Sequence, residues 1–302
     1  MIIPNHIQIE TIKGICTAKC VMCPIDSWEL EPLIMTYDSF CKIMDKISDH
    51  KEVVRYLTLH GRGEPLLDKG LCEKIKYAKH CLHHETSIGF ASNCTDLSIN
   101  TSKDLIQSGL SLIICSVDGV SKDVHESIRI GTNYEQIVEN IKNFIQLRNE
   151  SNADTRVMLR FIYQEKNHEE WEDYQLYWNE LINPNKGDLV VKFDVHNWGG
   201  QDSDISSIDT AFLENIKEPI ICDDLYNRFI IQCDGEIGFC CALEDDKNNL
   251  NLGNIFENTL SEIYNQGMFI KYRKEMEKGR IFDLELCKNC TIPISRYKKG
   301  IL

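Results

Sequence analysis

One short stretch indicates both the fold and the chemistry of this chain: Cys16-Thr17-Ala18-Lys19-Cys20-Val21-Met22-Cys23, with the spacing C-x3-C-x2-C. It directly follows Ile7 to Ile12, which alternates apolar and polar residues as a β-strand does. Three thiolates on one loop can bind three irons of a 4Fe-4S cluster, whereas full ligation needs four cysteines. No fourth cysteine is near. The stretch therefore predicts a cluster with one open iron, and it fits a four-ligand structural zinc site less well.

Composition excludes several classes of function. The chain has 302 residues, 42% of them hydrophobic, which is enough for one large and one small domain. Its 33 Lys and Arg against 47 Asp and Glu give a net charge of −14, so a nucleic-acid backbone would be repelled. The apolar runs are too short to span a bilayer, and the N-terminus lacks the features of a signal peptide. We expect a cytoplasmic protein with no nucleic-acid partner and no membrane partner.

Strand-like and helix-like segments alternate through the first two-thirds of the chain. After the strand that precedes Cys16, strands are predicted at 53–59, 87–91, 112–117, 157–163 and 189–195, and helices at 37–48, 71–80, 102–108, 134–148 and 169–180. Alternation of this kind predicts an α/β fold whose parallel sheet has right-handed crossovers. Six such units form either an open sheet or a partial barrel. In both architectures the chemistry is expected at the carboxyl ends of the strands.

The alternating pattern stops after about Trp198. The small polar stretch from Gly199 to Asp204 is typical of a linker. A cysteine-rich region follows, and Asp234-Gly235 between two apolar runs indicates a β-hairpin. We therefore predict one domain over residues 1–204 and a smaller one over residues 205–302.

Further motifs stand where the predicted strands end. They are His60-Gly61-Arg62-Gly63-Glu64-Pro65, Ser92-Asn93, Ser116-Val117-Asp118-Gly119 and Ile128-Arg129-Ile130-Gly131. With the C-x3-C-x2-C stretch, they resemble the motifs of the radical S-adenosylmethionine (radical SAM) superfamily over about residues 5 to 200. The chain departs from the family's usual pattern where Gly61-Arg62 replaces a single glycine. The resemblance implies a partial (β/α)6 TIM-like barrel, a 4Fe-4S cluster on Cys16, Cys20 and Cys23, and S-adenosyl-L-methionine (SAM) as cofactor.

The resemblance also assigns residues to the cofactor. The segment with Gly63 and Glu64 contacts the amino group of SAM in relatives, and an arginine placed like Arg129 lies near its carboxylate, which suits an Arg–carboxylate fork. Strand alternation puts Ser116 and Asp118 on one face of the fourth strand. The implied chemistry is reductive cleavage of SAM by an electron from a reductant such as flavodoxin or ferredoxin, followed by abstraction of a substrate hydrogen atom.

A second group of cysteines lies in the last third of the chain. It has the spacing C-x12-G-x4-C followed by C-x2-C, and these residues are Cys222, Gly235, Cys240, Cys287 and Cys290. The residues alone leave a zinc ribbon and an iron–sulfur cluster open. The spacing resembles the SPASM auxiliary-cluster domain in its truncated twitch form. That resemblance implies a second 4Fe-4S cluster on these four cysteines, with Cys233 as an alternative ligand.

A lone twitch domain on a short chain resembles family members that oxidise a secondary alcohol of an aminocyclitol. We therefore expect an oxidoreductase, a dehydrogenase of a carbohydrate-like small molecule. The chain begins at the first strand, without room for a peptide-recognition domain, and this favours a small molecule, although a peptide substrate stays open. The alternatives are a sugar or peptide epimerase, a thioether-forming peptide-modifying enzyme, and a non-catalytic cluster carrier or zinc-binding module. The carrier would not need residues such as Glu64 and Arg129.

Four side chains are candidates for catalysis. Arg160 lies on the fifth strand and His196 follows the sixth, and strand ends on the carboxyl side face the site. Glu244 follows the hairpin and could bind a hydroxyl or an ammonium group. Cys241 is the candidate hydrogen donor of an epimerase. Because neighbouring side chains on a strand point to opposite faces, we expect the Cys241 thiol to point away from the cluster of Cys240 into the core.

Overall fold

The computed structural model describes residues 2–202, 216, 218–243 and 250–298. Its strands are numbered here along the chain. They are β1 (His6–Ile9), β2 (Ile12–Lys13), β3 (Lys19–Cys20), β4 (Leu33–Ile34), β5 (Tyr56–Thr58), β6 (Ser87–Ser92), β7 (Leu112–Ser116), β8 (Arg129–Ile130), β9 (Arg156–Tyr163), β10 (Leu189–Asp194), β11 (Arg228–Ile231) and β12 (Ile237–Gly238).

Eight of these strands form one sheet in the order β10-β9-β7-β6-β5-β1-β11-β12. Every neighbouring pair is parallel except β11 and β12, which are antiparallel. The six strands expected from the sequence lie side by side in this sheet, which confirms the predicted α/β fold. Within the described residues, β10 and β12 end the sheet without pairing to each other, as in a partial barrel. Two short antiparallel pairs, β2 with β4 and β3 with β8, lie outside it.

Several of the helices begin at a polar side chain that caps them. They are α1 (Tyr37–Ser48), α2 (Leu71–Cys81), α3 (Ile99–Gln107), α4 (Lys122–Ile128), α5 (Tyr134–Glu150), α6 (Trp171–Asn179), α7 (Asp224–Asn227), α8 (Leu260–Tyr264), α9 (Gly267–Glu277) and α10 (Ile292–Lys298). The side chains of Thr36, Ser98 and Asn133 accept hydrogen bonds from backbone N–H groups of the first turn of α1, α3 and α5. Such caps satisfy donors that lack a partner within the helix.

The core lies between the sheet and the helices. Helix α1 buries Phe40, Ile43, Met44 and Ile47, which recur at helical spacing and face the sheet. On β1, Ile7 and Ile9 are fully buried. No helix in the described part of the chain combines the length and the apolar character that crossing a membrane requires.

Strand β11 joins the main sheet, although it comes from the region predicted to be a second domain. It pairs in parallel with β1, with Ile7 opposite Phe229 and Ile9 opposite Ile231. The predicted hairpin connects it to β12, and Gly235 has a φ of +86° in the turn, which glycine adopts without strain. The predicted boundary at residue 204 lies outside the described residues and stays a prediction.

Candidate functional site

One cavity of about 840 Å³ opens at the carboxyl ends of the parallel strands. Ser116 ends β7, Arg160 lies on β9, and Val195 and His196 follow β10; all four line the cavity. The segment after β5 contributes His60, and the loop after β6 contributes Asn93. The cavity therefore lies at the edge of the sheet where parallel α/β folds place their chemistry, as the sequence predicts.

The three cysteines of the C-x3-C-x2-C stretch line this cavity together. The backbone N–H of Ala18 donates to Cys16 Sγ at 3.5 Å, and Asn93 Nδ2 lies 3.7 Å from the same sulfur. Arg129 Nη1 donates to Cys20 Sγ at 3.4 Å, because β3 and β8 pair Cys20 with Arg129. These donors suit anionic sulfur ligands. Burial raises the pKa of the free Cys23 thiol to about 11, so ligation must remove a tightly held proton.

Glu64 is fixed in place both by its carboxylate and by its backbone. The carboxylate accepts hydrogen bonds from Ser92 Oγ at 2.7 Å, from the N–H of Asn93 at 2.9 Å and from the N–H of Leu66 at 3.1 Å. The backbone N–H of Glu64 donates to the carbonyl of Ile15 at 2.9 Å. Glu64 is 3% exposed and lines the cavity, and burial raises its pKa.

Gly63 leaves no room for a side chain. A Cβ at this position would lie 2.8 Å from the carbonyl oxygen of Ile12 and 3.0 Å from that of Ile15. The close approach of two backbone segments therefore requires glycine. The departure at Gly61-Arg62 has a structural reason as well. Arg62 binds Glu10 through Nε at 2.9 Å and Nη2 at 2.8 Å, and Gln232 through Nη2 at 2.7 Å, which ties this loop to β1 and to the residue after β11.

Asp118 is placed behind the cavity wall rather than in it. Its carboxylate forms an ion pair with Arg129 Nη2 at 2.8 Å and accepts a hydrogen bond from the N–H of Ile162 at 2.7 Å. Asp118 is fully buried, whereas Ser116 and Arg129 line the cavity. Burial opposes the charge of Arg129, but the carboxylate of Asp118 and the Cys20 thiolate raise its pKa. A contact of Asp118 with the cofactor stays a prediction; the structure shows it holding Arg129.

Arg160 differs from its neighbour Arg129 because no carboxylate pairs with it in the described structure. Its Nη2 donates to Ser116 Oγ at 2.6 Å, and its buried Nε has no hydrogen-bond partner among the described residues. Burial, followed by the charge of Arg129, lowers the pKa of Arg160 to about 10. Arg160 therefore lines the cavity without a carboxylate partner, and its buried Nε is an unused donor.

The four cysteines predicted to hold the second cluster lie together. Cys240 lines the cavity, and burial together with the neighbouring thiols Cys241, Cys290 and Cys222 raises its pKa. The thiols of Cys287 and Cys290 act on Cys222 in the same way. Cys233, the alternative ligand, is separate: it is buried, and its thiol donates to the carbonyl of Glu10 at 3.1 Å.

The strand geometry behind the expectation for Cys241 does not apply, so the direction of its thiol relative to the cluster of Cys240 stays a prediction. Strand β12 ends at Gly238, so Cys240 and Cys241 lie in the turn beyond it, where strand alternation no longer applies. Both residues line the cavity. Cys241 Sγ lies 3.9 Å from Asp224 Oδ2. Burial, followed by the charge of Asp224, raises the pKa of the Cys241 thiol.

Sequence reasoning missed a charged network beside Cys241. Asp224 Oδ1 lies 3.3 Å from Arg228 Nε, and Asp224 Oδ2 lies 3.2 Å from Arg296 Nη2. All three residues line the cavity. Burial opposes ionisation of Asp224, but the two arginines lower its pKa. The i,i+4 spacing of Asp224 and Arg228 could have suggested their pairing, but no local spacing could have revealed the contact with Arg296, which comes from α10.

His196 lies in the cavity wall as predicted, with a defined role for one ring nitrogen. Its Nδ1 accepts a hydrogen bond from the N–H of Trp198 at 3.2 Å, which assigns the proton of the neutral ring to Nε2. Burial, followed by the charges of Arg296 and Arg160, lowers the pKa of His196 to about 4. Glu244, the remaining candidate, lies outside the described residues.

The donor set fits the groups that the motifs imply. No set of three or more His, Cys, Asp or Glu side chains within the described ranges is arranged around a single metal ion. A cubane cluster instead takes its ligands at separate corners. Two of the three loop thiols receive N–H donors. Glu64 offers a carboxylate that can bind an amine, and Arg129 offers a guanidinium that can bind a carboxylate. Amine and carboxylate are the two polar groups of an amino acid. These residues would hold the first cluster and SAM.

Comparison with protein families matches residues 11–174 to the Radical SAM superfamily and residues 222–291 to the SPASM iron–sulfur cluster-binding domain. Among curated proteins, the chain is similar to the tungsten-containing aldehyde ferredoxin oxidoreductase cofactor-modifying protein of Pyrococcus furiosus. The two are 22% identical over 89% of this chain and 83% of that protein.

Solved structures share the fold. BtrN in complex with AdoMet and 2-DOIA is similar over 96% of this chain and 94% of its own, with 18% identity and a TM-score of 0.62. SuiB of Streptococcus suis bound to its precursor peptide SuiA is similar over 97% of this chain and 70% of its own, with 15% identity and a TM-score of 0.64. The Radical SAM match covers more than half of the 302 residues and implies a 4Fe-4S cluster with SAM, and the SPASM match implies additional iron–sulfur clusters. The chain therefore belongs to the radical SAM superfamily and carries a SPASM domain.

Proposed function

We propose that this chain is a radical SAM dehydrogenase that oxidises an alcohol of a carbohydrate-like or aminocyclitol small molecule. One observation supports the proposal most: the cavity lined by Cys16, Cys20 and Cys23 is lined by Cys240 as well. A substrate between the two cysteine groups has one of them on each side of its reacting carbon. A reductant such as flavodoxin or ferredoxin would supply the electron that starts the reaction.

Oxidation of a secondary alcohol to a ketone removes one hydrogen atom, one proton and one electron from the substrate. When bound, the first cluster with SAM supplies the acceptor for the hydrogen atom, and the second cluster supplies an acceptor for the electron. The chain's own residues must bind the alcohol, exclude water and take the proton. The half-buried side chains of Arg160 and His196 stand where they can serve these tasks.

Arg160 is assigned to the reacting hydroxyl group. Arg160 lines the cavity and no carboxylate pairs with it among the described residues, so a substrate oxygen can bind there. Burial, followed by the charge of Arg129, lowers its pKa to about 10, so Arg160 is charged near neutral pH and has to release a proton to solvent before it can take the hydroxyl proton. His196 carries its proton on Nε2, so it is assigned as a hydrogen-bond donor to a second substrate oxygen.

The size of the cavity favours a small substrate. Its volume of about 840 Å³ has to hold SAM and the substrate together. This is the range of an ordinary ligand pocket, and the cofactor takes part of it. The complex of BtrN with 2-DOIA supports an aminocyclitol as the substrate. The complex of SuiB with its precursor peptide SuiA supports the alternative, in which the substrate is a single side chain of a peptide.

The test is mass spectrometry of the products made by anaerobically reconstituted protein with SAM, dithionite and 2-DOIA or related amino sugars in deuterated water. We expect 5′-deoxyadenosine together with a product lighter by two hydrogens. Arg160→Gln should still cleave SAM but should lose product formation. Formation of deoxyadenosine without any change in these compounds would contradict the proposed substrate class.

Epimerisation is the second candidate, because Cys241 lines the same cavity. An epimerase needs a hydrogen atom delivered to the opposite face of the substrate carbon, and a protonated thiol beside Asp224 can donate one. In deuterated water this reaction gives a product of unchanged formula with one carbon-bound deuterium. Loss of that deuterium in Cys241→Ala, with Cys233→Ala as the matched control, would favour the epimerase over the dehydrogenase.

A further inference from the structure

A short segment after β10, His196-Asn197-Trp198-Gly199-Gly200-Gln201, contacts both cysteine groups. The indole Nε1 of Trp198 donates to the carbonyl oxygen of Met22 at 2.5 Å, and Met22 stands between Cys20 and Cys23. The Trp198 ring packs edge-to-face against Trp28, with 5.8 Å between ring centroids. Trp198 therefore anchors the segment to the loop of the first cluster.

The next contact in the segment reaches the second cysteine group. Asn197 Nδ2 donates to the carbonyl oxygen of Asn289 at 2.7 Å, and Asn289 stands between Cys287 and Cys290. Asn197 Oδ1 accepts a hydrogen bond from the N–H of Thr291 at 3.1 Å. Asn197 is 2% exposed and does not line the cavity. Its contacts therefore act on the cysteine loop and not on the substrate.

A third contact secures the turn that carries the remaining thiols. Gln201 Nε2 donates to the carbonyl oxygen of Ala242 at 2.8 Å, directly after Cys241. A Cβ on Gly200 would lie 2.5 Å from the Cβ of Asn289, and one on Gly199 would lie 2.9 Å from Leu243. The two glycines of the segment thus pack closely against Leu243 and Asn289, which lie beside cysteines of the second group.

The backbone of the segment is unusual. Trp198 has a φ of +47°, and Gly199 and Gly200 follow at +69° and +90°. Glycine adopts such angles freely, but a bulky residue in the left-handed region is rare. Strain of this kind persists only where surrounding contacts enforce it, and it concentrates at functional sites. The contacts of Trp198 with Met22 and Trp28 enforce it here.

We propose that Asn197 and Trp198 are positioning residues that hold the loop of Cys287 and Cys290 in a fixed place relative to the loop of Cys16 to Cys23. This inference rests on the proposed function. In that function a hydrogen atom leaves the substrate on the side of the first cysteine group, and an electron leaves it on the side of the second. Both transfers depend on fixed distances, and one segment contacts both loops. A shift of about 1 Å at such a site is enough to lower turnover by roughly 100-fold.

The test compares Asn197→Ala and Trp198→Phe with the unmodified, fully reconstituted protein. Trp198→Phe keeps an aromatic ring but removes the N–H donor to Met22. We expect unchanged iron content in both variants and, with 2-DOIA, a ratio of product to deoxyadenosine lower by about 100-fold. We also expect a changed magnetic interaction between the two reduced clusters by electron paramagnetic resonance, which requires no substrate.

Two control variants separate positioning from general destabilisation. Asn265→Ala removes a comparable amide, which donates to the carbonyl of Ile2 at 2.8 Å and accepts from its N–H at 2.7 Å, away from the cavity. Trp178→Phe removes a buried indole outside the cavity. Both control variants should keep the ratio of product to deoxyadenosine and the magnetic interaction between the clusters that the unmodified protein shows.

The outcomes distinguish this inference from the proposed function. If unmodified protein makes no oxidised product, alcohol oxidation fails, but the magnetic interaction still tests the positioning role. If Asn197→Ala does not fold, Trp198→Phe decides by the magnetic interaction, which needs no substrate, because Trp198 lines the cavity and its substitution can change the product ratio directly. An unchanged magnetic interaction in the folded variants, or an equal change in the two controls, would overturn the proposal.

Discussion

At the scale of single residues, two neighbouring arginines have different surroundings. Arg129 is paired with the fully buried carboxylate of Asp118 at 2.8 Å, whereas the hydroxyl of Ser116, at 2.6 Å, is the partner of Arg160 among the described residues. An ionised group in a low-dielectric site costs free energy unless an opposite charge compensates it. Arg160 therefore depends on the anionic character of the occupied site, which is consistent with its role as a substrate ligand.

A buried histidine makes stability depend on pH. His125 is fully buried, its Nδ1 accepts a hydrogen bond from the N–H of Asp118, and its Nε2 has no partner among the residues described. Burial, followed by the charge of Arg129, lowers its pKa to about 3 from the ordinary value of 6.5. As the pH falls below 6.5, the unfolded chain binds a proton that the folded chain refuses, so the protein becomes less stable.

We expect His125→Asn, which keeps an acceptor for Asp118, to weaken this pH dependence. Between pH 7 and pH 5 the unmodified protein should lose about 2 kcal/mol more of its free energy of unfolding than the variant does. Urea unfolding at each pH, on samples of equal iron content, measures the difference. The exposed His80, changed to Asn, serves as the control and should behave as the unmodified protein. Equal losses in His125→Asn and unmodified protein would contradict the assignment.

At the scale of elements, β11 determines where the second cysteine group lies. It pairs with β1 through Ile7 opposite Phe229 and Ile9 opposite Ile231, so it extends the sheet that carries the first cysteine loop. Cys222 precedes this strand, and Cys240 follows its hairpin partner β12. A strand paired in fixed register leaves little freedom, because a slip of one residue would turn its buried side chains to the other face.

The second cysteine group can be tested by removing one thiol. If Cys222, Cys240, Cys287 and Cys290 hold a cluster that accepts the substrate electron, Cys290→Ala should still cleave SAM while product formation falls to background. Chromatography of deoxyadenosine and product in the same reaction gives both rates. Cys233→Ala is the matched control, since that thiol is also buried but donates to the carbonyl of Glu10 outside the group.

Full turnover by a folded Cys290→Ala variant that lacks the second cluster would show that the cluster is dispensable. Circular dichroism should accompany the assay, because binding of metal to cysteines can itself contribute folding free energy.

At the scale of the whole molecule, one cavity brings both cysteine groups together in a strongly acidic protein. The chain has a net charge of −14, but the cavity lining does not share this acidic excess. Its basic residues are matched in number by acidic ones; they are Arg62, Arg129, Arg160, Arg228 and Arg296 against Glu10, Glu64, Asp194, Asp223 and Asp224. Clusters with thiolate ligands and a SAM carboxylate would add negative charge there, and a lining without an acidic excess repels these groups less than the rest of the surface would.

Iron content tests the arrangement of the complete molecule. Anaerobically reconstituted protein should contain about eight irons per chain, as two clusters of the four-iron class. Changing Cys16, Cys20 and Cys23 together to Ala should leave about four irons and abolish cleavage of SAM. Iron and zinc analysis of the same samples provides the measurement. One zinc per chain in place of the second four irons would contradict a second cluster.

The sequence by itself determined the features that depend on neighbouring residues. Alternating hydrophobic patterns predicted the six parallel strands, and helix α1 begins and ends where its pattern predicts, at Tyr37 and Ser48. Spacing along one loop predicted that Cys16, Cys20 and Cys23 would lie together. These features are local, because a strand, a helix or a short loop is specified by residues close together in the chain.

Only the tertiary structure decided what joins distant parts of the chain. It showed that β11 extends the main sheet, that Cys241 lines the cavity beside Cys240, and that Asp224 pairs with Arg296. It also showed that the segment with Trp198, which the sequence marks only as the end of a pattern, contacts both cysteine groups. The physical reason is that packing and hydrogen bonding between distant elements depend on how the sheet brings them together, and no periodicity along the chain records that.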